Sequence, residues 1–124
     1  ATFDITFTTL IAGLKNAVIS INSNSCNEQP FTFMVDASFQ CPYPNFTFIG
    51  GSTTSPTDPT LAVNWQYGCI PPLNDPDIKI TIMNGEIFKA ADPIMGDIIN
   101  YGTLKGNLNL TGNLTNYGTF SPGN

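Results

Sequence analysis

The chain has 124 residues, only 10% of them charged, and a formal net charge of −5. It contains no His and no Arg, which removes the commonest general base, the commonest neutral metal ligand and the planar fork that grips phosphate. Most catalytic chemistry is thereby disfavoured, and the net charge would repel a nucleic-acid backbone.

In chain order, the first element is an alternating strand at Thr2–Leu10, with Phe3, Ile5 and Phe7 on one face and Asp4, Thr6 and Thr8 on the other. Residues 10–21 follow. They can be read as a short helix or as two strands joined at Gly13–Asn16, and the β-branched Ile11, Val18 and Ile19 lower helix propensity there, so strands are expected. Phe31, Phe33, Val35, Ala37 and Phe39 form the longest alternating face. Residues 41–44 and 50–59 read as loops from their Pro, Gly and Ser content. Leu61, Val63, Trp65 and Tyr67 predict another strand, with Asn64 on its wet side. After the Pro-rich 70–76 loop, Ile78, Ile80 and Ile82 predict a fourth. Asn84-Gly85 then predicts a type I′ hairpin joining residues 78–83 to 86–90.

Composition changes near Asp92, from aromatic-rich to Leu, Asn, Gly and Thr. Asn100-Tyr101-Gly102-Thr103-Leu104 recurs as Asn116-Tyr117-Gly118-Thr119-Phe120, a pattern of short stacked strands with tight corners. A solenoid needs about three coils, and this repeat accounts for fewer. The tail is therefore expected to supply the last strands of a single sandwich. The fold expected for residues 1–124 is all-β, a mainly antiparallel sandwich of Ig-like or jelly-roll type, with a solenoid-like C-terminal part as the alternative.

Residues 114–124, Leu-Thr-Asn-Tyr-Gly-Thr-Phe-Ser-Pro-Gly-Asn, resemble the coil-ending signature of large bacterial β-helical adhesins and autotransporter passengers. The resemblance implies a secreted or surface-displayed protein acting through a long repetitive scaffold. It does not reach the aromatic, cysteine-containing front portion.

Candidate sites are few. Cys26, Cys41 and Cys69 allow one disulfide, with a local Cys26–Cys41 bridge as one pairing. Asn45, Asn109 and Asn113 open Asn-x-Thr glycosylation sequons. Asp75 and Asp77 offer hard oxygen ligands for Ca²⁺, although a solvated turn with an Asp cap fits the intervening Pro76 better. Tyr43, Trp65 and Tyr67 can be read as a sugar-stacking platform, but Trp65 and Tyr67 share the parity of the apolar face. Lys15 and Lys79 are the lysines considered for an isopeptide crosslink. No zinc site is expected, because no Cys-x-x-Cys pair exists. No cofactor is expected.

The low charge points outside the cell, since about 25% is typical, and no apolar run is long enough for a membrane helix. The chain opens on Ala1, as a mature product after signal cleavage or a trimmed chain would. The functional expectation is a non-enzymatic structural subunit of an extracellular filament or surface assembly. Copies would pair or exchange β-strands, with Phe3, Ile5 and Phe7 as the inserting residues. The alternative is an adhesin or carbohydrate-binding module of a larger cell-surface or viral fibre protein, with surface glycans as partners.

Overall fold

In the computed structural model, which describes Thr6, residues 11–21 and residues 30–123, backbone pairing changes direction along the chain. Contacts divide it into two units, Ala1–Gln40 and Cys41–Asn124. In the first, β1 (Gly13–Ile21) and β2 (Phe31–Phe39) pair antiparallel, with Gly13 opposite Phe39 and Ile21 opposite Phe31. Gly13–Ile21 is thus one uninterrupted strand, which corrects the expected pair of strands joined at Gly13–Asn16. Ala17, Ile19, Phe33, Val35, Ala37 and Phe39 share a half-buried face. Leu14, Val18 and Met34 stand exposed on the other.

The second unit is a parallel β-solenoid. One sheet runs β3 (Asn45–Phe48), β4 (Lys79–Ile82), β6 (Asp97–Asn100), β8 (Leu114–Asn116). The other runs β5 (Ile87–Ala90), β7 (Thr103–Gly106), β9 (Thr119–Pro122). Every neighbouring pair in both sheets is parallel. From β4 onward the chain alternates between the sheets, so each of those coils lays one strand on each, whereas β3 is followed by two 3₁₀ turns and then by β4 of its own sheet. A looser third side carries the parallel bridge between Ile94 and Leu110.

Alternation works here as in any half-buried strand: one parity faces the coil interior, the other water. Ile80, Ile82, Phe88, Ala90, Ile94, Ile98 and Leu104 point inward and are buried. Each large aliphatic or aromatic side chain among them contributes about 1.5–3 kcal/mol through removal from water. Ile98 stacks on Ile80, and Leu104 on Phe88, so the core is a set of columns along the solenoid axis.

Several expectations are corrected. The mainly antiparallel sandwich is contradicted by the two parallel sheets; among the described residues only the β1–β2 sheet is antiparallel. Period-two alternation reports a half-buried strand but carries no information about its neighbour's direction. Asn84-Gly85 makes no hairpin. Gly85 has φ 87° and the Glu86 N–H donates to the Met83 carbonyl at 3.1 Å, but the turn is a corner passing the chain from one sheet to the other. The strand expected at residues 61–67 is instead two 3₁₀ turns, Ala62–Asn64 and Gln66–Gly68. The solenoid begins at β3, well before the composition change near Asp92. Its early coils escaped detection because their steps are irregular. Lys79 stacks on Asn45 and Asp97 on Lys79, whereas Leu114 follows Ile98 at the regular spacing of 16.

Candidate functional site

The two ends of the solenoid differ, and that difference is the site. At the first end, the chain between β3 and β4 folds over the outermost strands. Trp65 bridges Phe48 antiparallel, and the Asn64 carbonyl accepts from Ile49 N at 2.8 Å and Gly50 N at 3.3 Å. On the other sheet, Lys89 N donates to the Thr57 carbonyl at 3.1 Å, which covers the edge of β5. The interior is stopped by three mutually edge-on rings, Phe48, Trp65 and Phe88, with centroids 5.0–6.0 Å apart.

Asn64 organises this cap. It is fully buried, its Oδ1 accepts from Ser52 N at 2.7 Å, and its Nδ2 donates to the Ser55 and Asp58 carbonyls at 2.8 and 2.7 Å. Trp65 Nε1 donates to the Pro59 carbonyl at 2.7 Å, so the one buried indole N–H is satisfied. Cys69, buried, is joined to Cys41 with Cα atoms 5.6 Å apart, tying the start of β3 to the end of the cap.

At the opposite end no segment of residues 41–123 folds over the strands. β8 and β9 are the last strands of their sheets. Ile98 N donates to the Asn113 carbonyl at 2.8 Å and Thr119 N to the Gly102 carbonyl at 2.8 Å. By the alternation of ladder groups, Leu114, Asn116 and Phe120 turn their main-chain N–H and C=O away from the previous coil. The apolar columns also surface here. Ile80 and Ile98 are buried but Leu114 is half-buried; Phe88 and Leu104 are buried but Phe120 is 40% exposed. The edge carries no charge, since Lys105 is the last charged residue of the chain.

Two polar or aromatic columns run to this end. Asn100, fully buried, donates from Nδ2 to Asn116 Oδ1 at 2.6 Å and to the Thr119 carbonyl at 2.9 Å. Beside it Tyr101 and Tyr117 stack, centroids 5.1 Å apart and planes 11° apart. The corner needs Gly at its next position. A Cβ on Gly118 would strike the Gly102 carbonyl, and one on Gly102 would strike those of Met83 and Glu86. Asp97 adds a stitch between coils: its Oδ1 accepts from Asn113 N at 2.8 Å and Asn113 Nδ2 at 3.0 Å. Those two bonds, main-chain first, hold its carboxyl below the usual range, with Lys79 adding to the effect.

The candidate residues read from sequence disperse. Phe3, Ile5, Phe7 and Cys26 lie outside the described residues. Cys41 pairs with Cys69, not Cys26. Asn45 is exposed at the start of β3, and Asn109 is exposed on the third side. The Asn113 amide is occupied by Asp97. Asp75 caps its own turn, its Oδ1 accepting from Asp77 N at 2.9 Å, and its Oδ2 accepts from the Tyr43 hydroxyl at 3.3 Å. Among the described residues no three His, Cys, Asp or Glu groups converge as a metal site would require. Trp65 is interior, so Tyr43, Trp65 and Tyr67 make no platform. Lys15 and Lys79 are both exposed, which removes the burial an isopeptide crosslink needs. Sequence reasoning missed Asn64, placed on the wet side of a strand that does not exist. It missed the role of Asn100 too, although the repeat displayed that residue.

No helix among the described residues is long and apolar enough to cross a membrane. Comparison with family models, with curated proteins and with solved structures finds no match to the chain.

Proposed function

We propose that this chain is a non-enzymatic structural module of an extracellular filament or surface assembly, closed at one end and built to be extended at the other by main-chain pairing. The observation that carries this reading is the asymmetry of the solenoid. One pair of edge strands is covered by residues 57–65, whereas within residues 41–123 nothing covers β8 and β9, and neither strand carries a charged side chain. Soluble β proteins ordinarily blunt such edges with charge, Pro or a covering segment. Pro122 ends β9, but among the described residues nothing comparable protects β8.

The Cys41–Cys69 disulfide supports an oxidising compartment. The surface chemistry supports it further, since Thr, Ser, Asn and Gly replace the usual charged cover. Strand exchange through Phe3, Ile5 and Phe7 remains a separate part of the proposal, and the open end does not depend on it.

Immunogold electron microscopy of native material, with antibody raised against residues 41–123, tests the reading. Labelled fibres or a labelled surface layer are expected. Labelling of a dispersed intracellular pool, or turnover of any polysaccharide by the purified chain, overturns it. Glycan binding without turnover would instead identify the adhesin alternative.

A further inference from the structure

We propose that the outward face of the β5–β7–β9 sheet is a docking groove for a second copy of this chain, and that Lys89 and Lys105 there receive the acidic turn Asp75-Pro76-Asp77 of that copy. The inference rests on the reading of the chain as an assembly module and names a side contact separate from the strand edges.

Lys89 and Lys105 are partners in the parallel register of β5 and β7, and both are exposed. Strands so paired lie about 4.7–4.9 Å apart, so two cationic side chains rise side by side. Like charges placed directly opposite each other cost stability. Among the described residues neither side chain makes a hydrogen bond or an ion pair. The chain has four lysines against nine Asp and Glu, so no surplus of positive charge forces the two together. A cavity of about 260 Å³ is lined by both lysines with Thr57, Ile87 and Gly123, and a second of about 310 Å³ adjoins it at Thr57 and Lys89. Asp58 lines the second cavity, but its Oδ1 is held by Thr60 N at 2.8 Å and by Thr60 Oγ1 at 2.7 Å. The groove thus sets two unpaired cations beside the apolar wall of Ile87, and it suits a rigid knob carrying two carboxylates.

The same unit displays such a knob. Asp77 is exposed and Asp75 half-buried, on either side of the exposed Pro76. Asp75 Oδ1 accepts from Asp77 N at 2.9 Å, and Asp75 N donates to the Pro72 carbonyl at 3.0 Å, so the turn is set before a partner arrives. Asp75 Oδ2 has only the Tyr43 hydroxyl at 3.3 Å, and the Asp77 carboxylate has no hydrogen bond among the described residues. Of the other acids in residues 41–123, Asp58 and Asp97 are spent on Thr60 and Asn113, and no other two stand within two residues of each other. Groove and turn are different patches of one chain. Their contact is therefore heterologous, and it repeats from copy to copy into a ring or a filament.

The test measures sedimentation of the full chain at about 0.01 M and about 1 M salt, where charges are screened over about 30 Å and about 3 Å. The parent chain should associate at low salt and lose that association at high salt. One variant neutralises the groove (Lys89→Gln with Lys105→Gln). Another neutralises the turn (Asp75→Asn with Asp77→Asn), where an amide oxygen can still accept the turn's internal bond. Each alone should lose the salt-sensitive association. Their equimolar mixture should regain it as pairs, because one chain supplies an intact groove and the other an intact turn. A parent chain without salt-sensitive association overturns the inference, as does a variant that associates like the parent or a mixture that stays apart. Salt-sensitive binding of polygalacturonate to a chain that remains monomeric would assign the groove to an acidic glycan and overturn it too. Labelled native fibres alongside any of these failures would leave the assembly reading standing and remove only this contact. A dispersed intracellular label beside a mixture that pairs would do the reverse.

Discussion

Two buried asparagines do opposite work. Asn64 satisfies every polar atom of its carboxamide inside the cap, while Asn100 leaves Oδ1 without a partner. Replacing Asn64 orphans the Ser52 N–H and leaves the Ser55 and Asp58 carbonyls with only their longer main-chain bonds from Asp58 N and Leu61 N. Asn64→Ala should therefore lower stability by about 1–3 kcal/mol, read from urea unfolding followed by the emission of Trp65, the one tryptophan of the chain. Asp97 belongs to the same scale. Its carboxyl is held below the ordinary value by the Asn113 bonds, so its contribution is present above the unfolded-state value of 3.8 and is lost as pH falls through the lower folded-state value. Asp58, lowered by its bonds from Thr60, acts with the same sign. Urea midpoints at pH 7 and pH 3 should fall for the parent chain. In Asp97→Asn the midpoint at pH 7 should already be lower, and the drop between the two pH values smaller.

At the scale of elements, alternation located β2, β4 and the inward columns correctly, because a solenoid strand and a sandwich strand both put one parity in the core. What it could not carry was partner direction. Ile78, Ile80 and Ile82 look the same whether the neighbouring strand runs up or down. The corner at Asn84-Gly85 has hairpin chemistry because any tight reversal wants positive φ; where the chain goes next depends on the stacking of whole coils. Residues 61–67 misled for a different reason. Trp65 is buried as its parity suggested, but Val63 is 56% exposed, so one aromatic plug imitated a strand face. The open end was half legible. The repeat showed Asn100 over Asn116 and Tyr101 over Tyr117, yet nothing in it revealed that the opposite end was closed. The glycine corner gives the element-scale prediction. Gly102→Ala forces a Cβ against the Met83 and Glu86 carbonyls in the middle of the stack and should cost about 1–3 kcal/mol. Gly118→Ala does the same in the last coil, so its effect should be confined to β8 and β9. Comparing global unfolding midpoints with local amide exchange separates the two.

At the scale of the molecule, the unit Cys41–Asn124 is a stack with one capped end. Trp65, Phe48 and Phe88 fill the interior at the capped end, and Cys41–Cys69 ties down the segment that holds them. Trp65→Ala should lower stability by about 3–5 kcal/mol, since an edge-packed indole cannot be replaced by water without a void. Reducing the disulfide should cost about 2–4 kcal/mol and should free the exchange of the Ile49 amide before that of the β6 and β7 amides. The later coils carry no such plug, and their side chains grow more exposed toward β9. The most direct measurement of this asymmetry is residue-resolved amide exchange on the unmodified chain. Ile49 and Lys89, the amides held by the cap, should exchange at least a hundredfold more slowly than the outward amides of Leu114, Asn116 and Phe120. Equal protection at the two ends would contradict it.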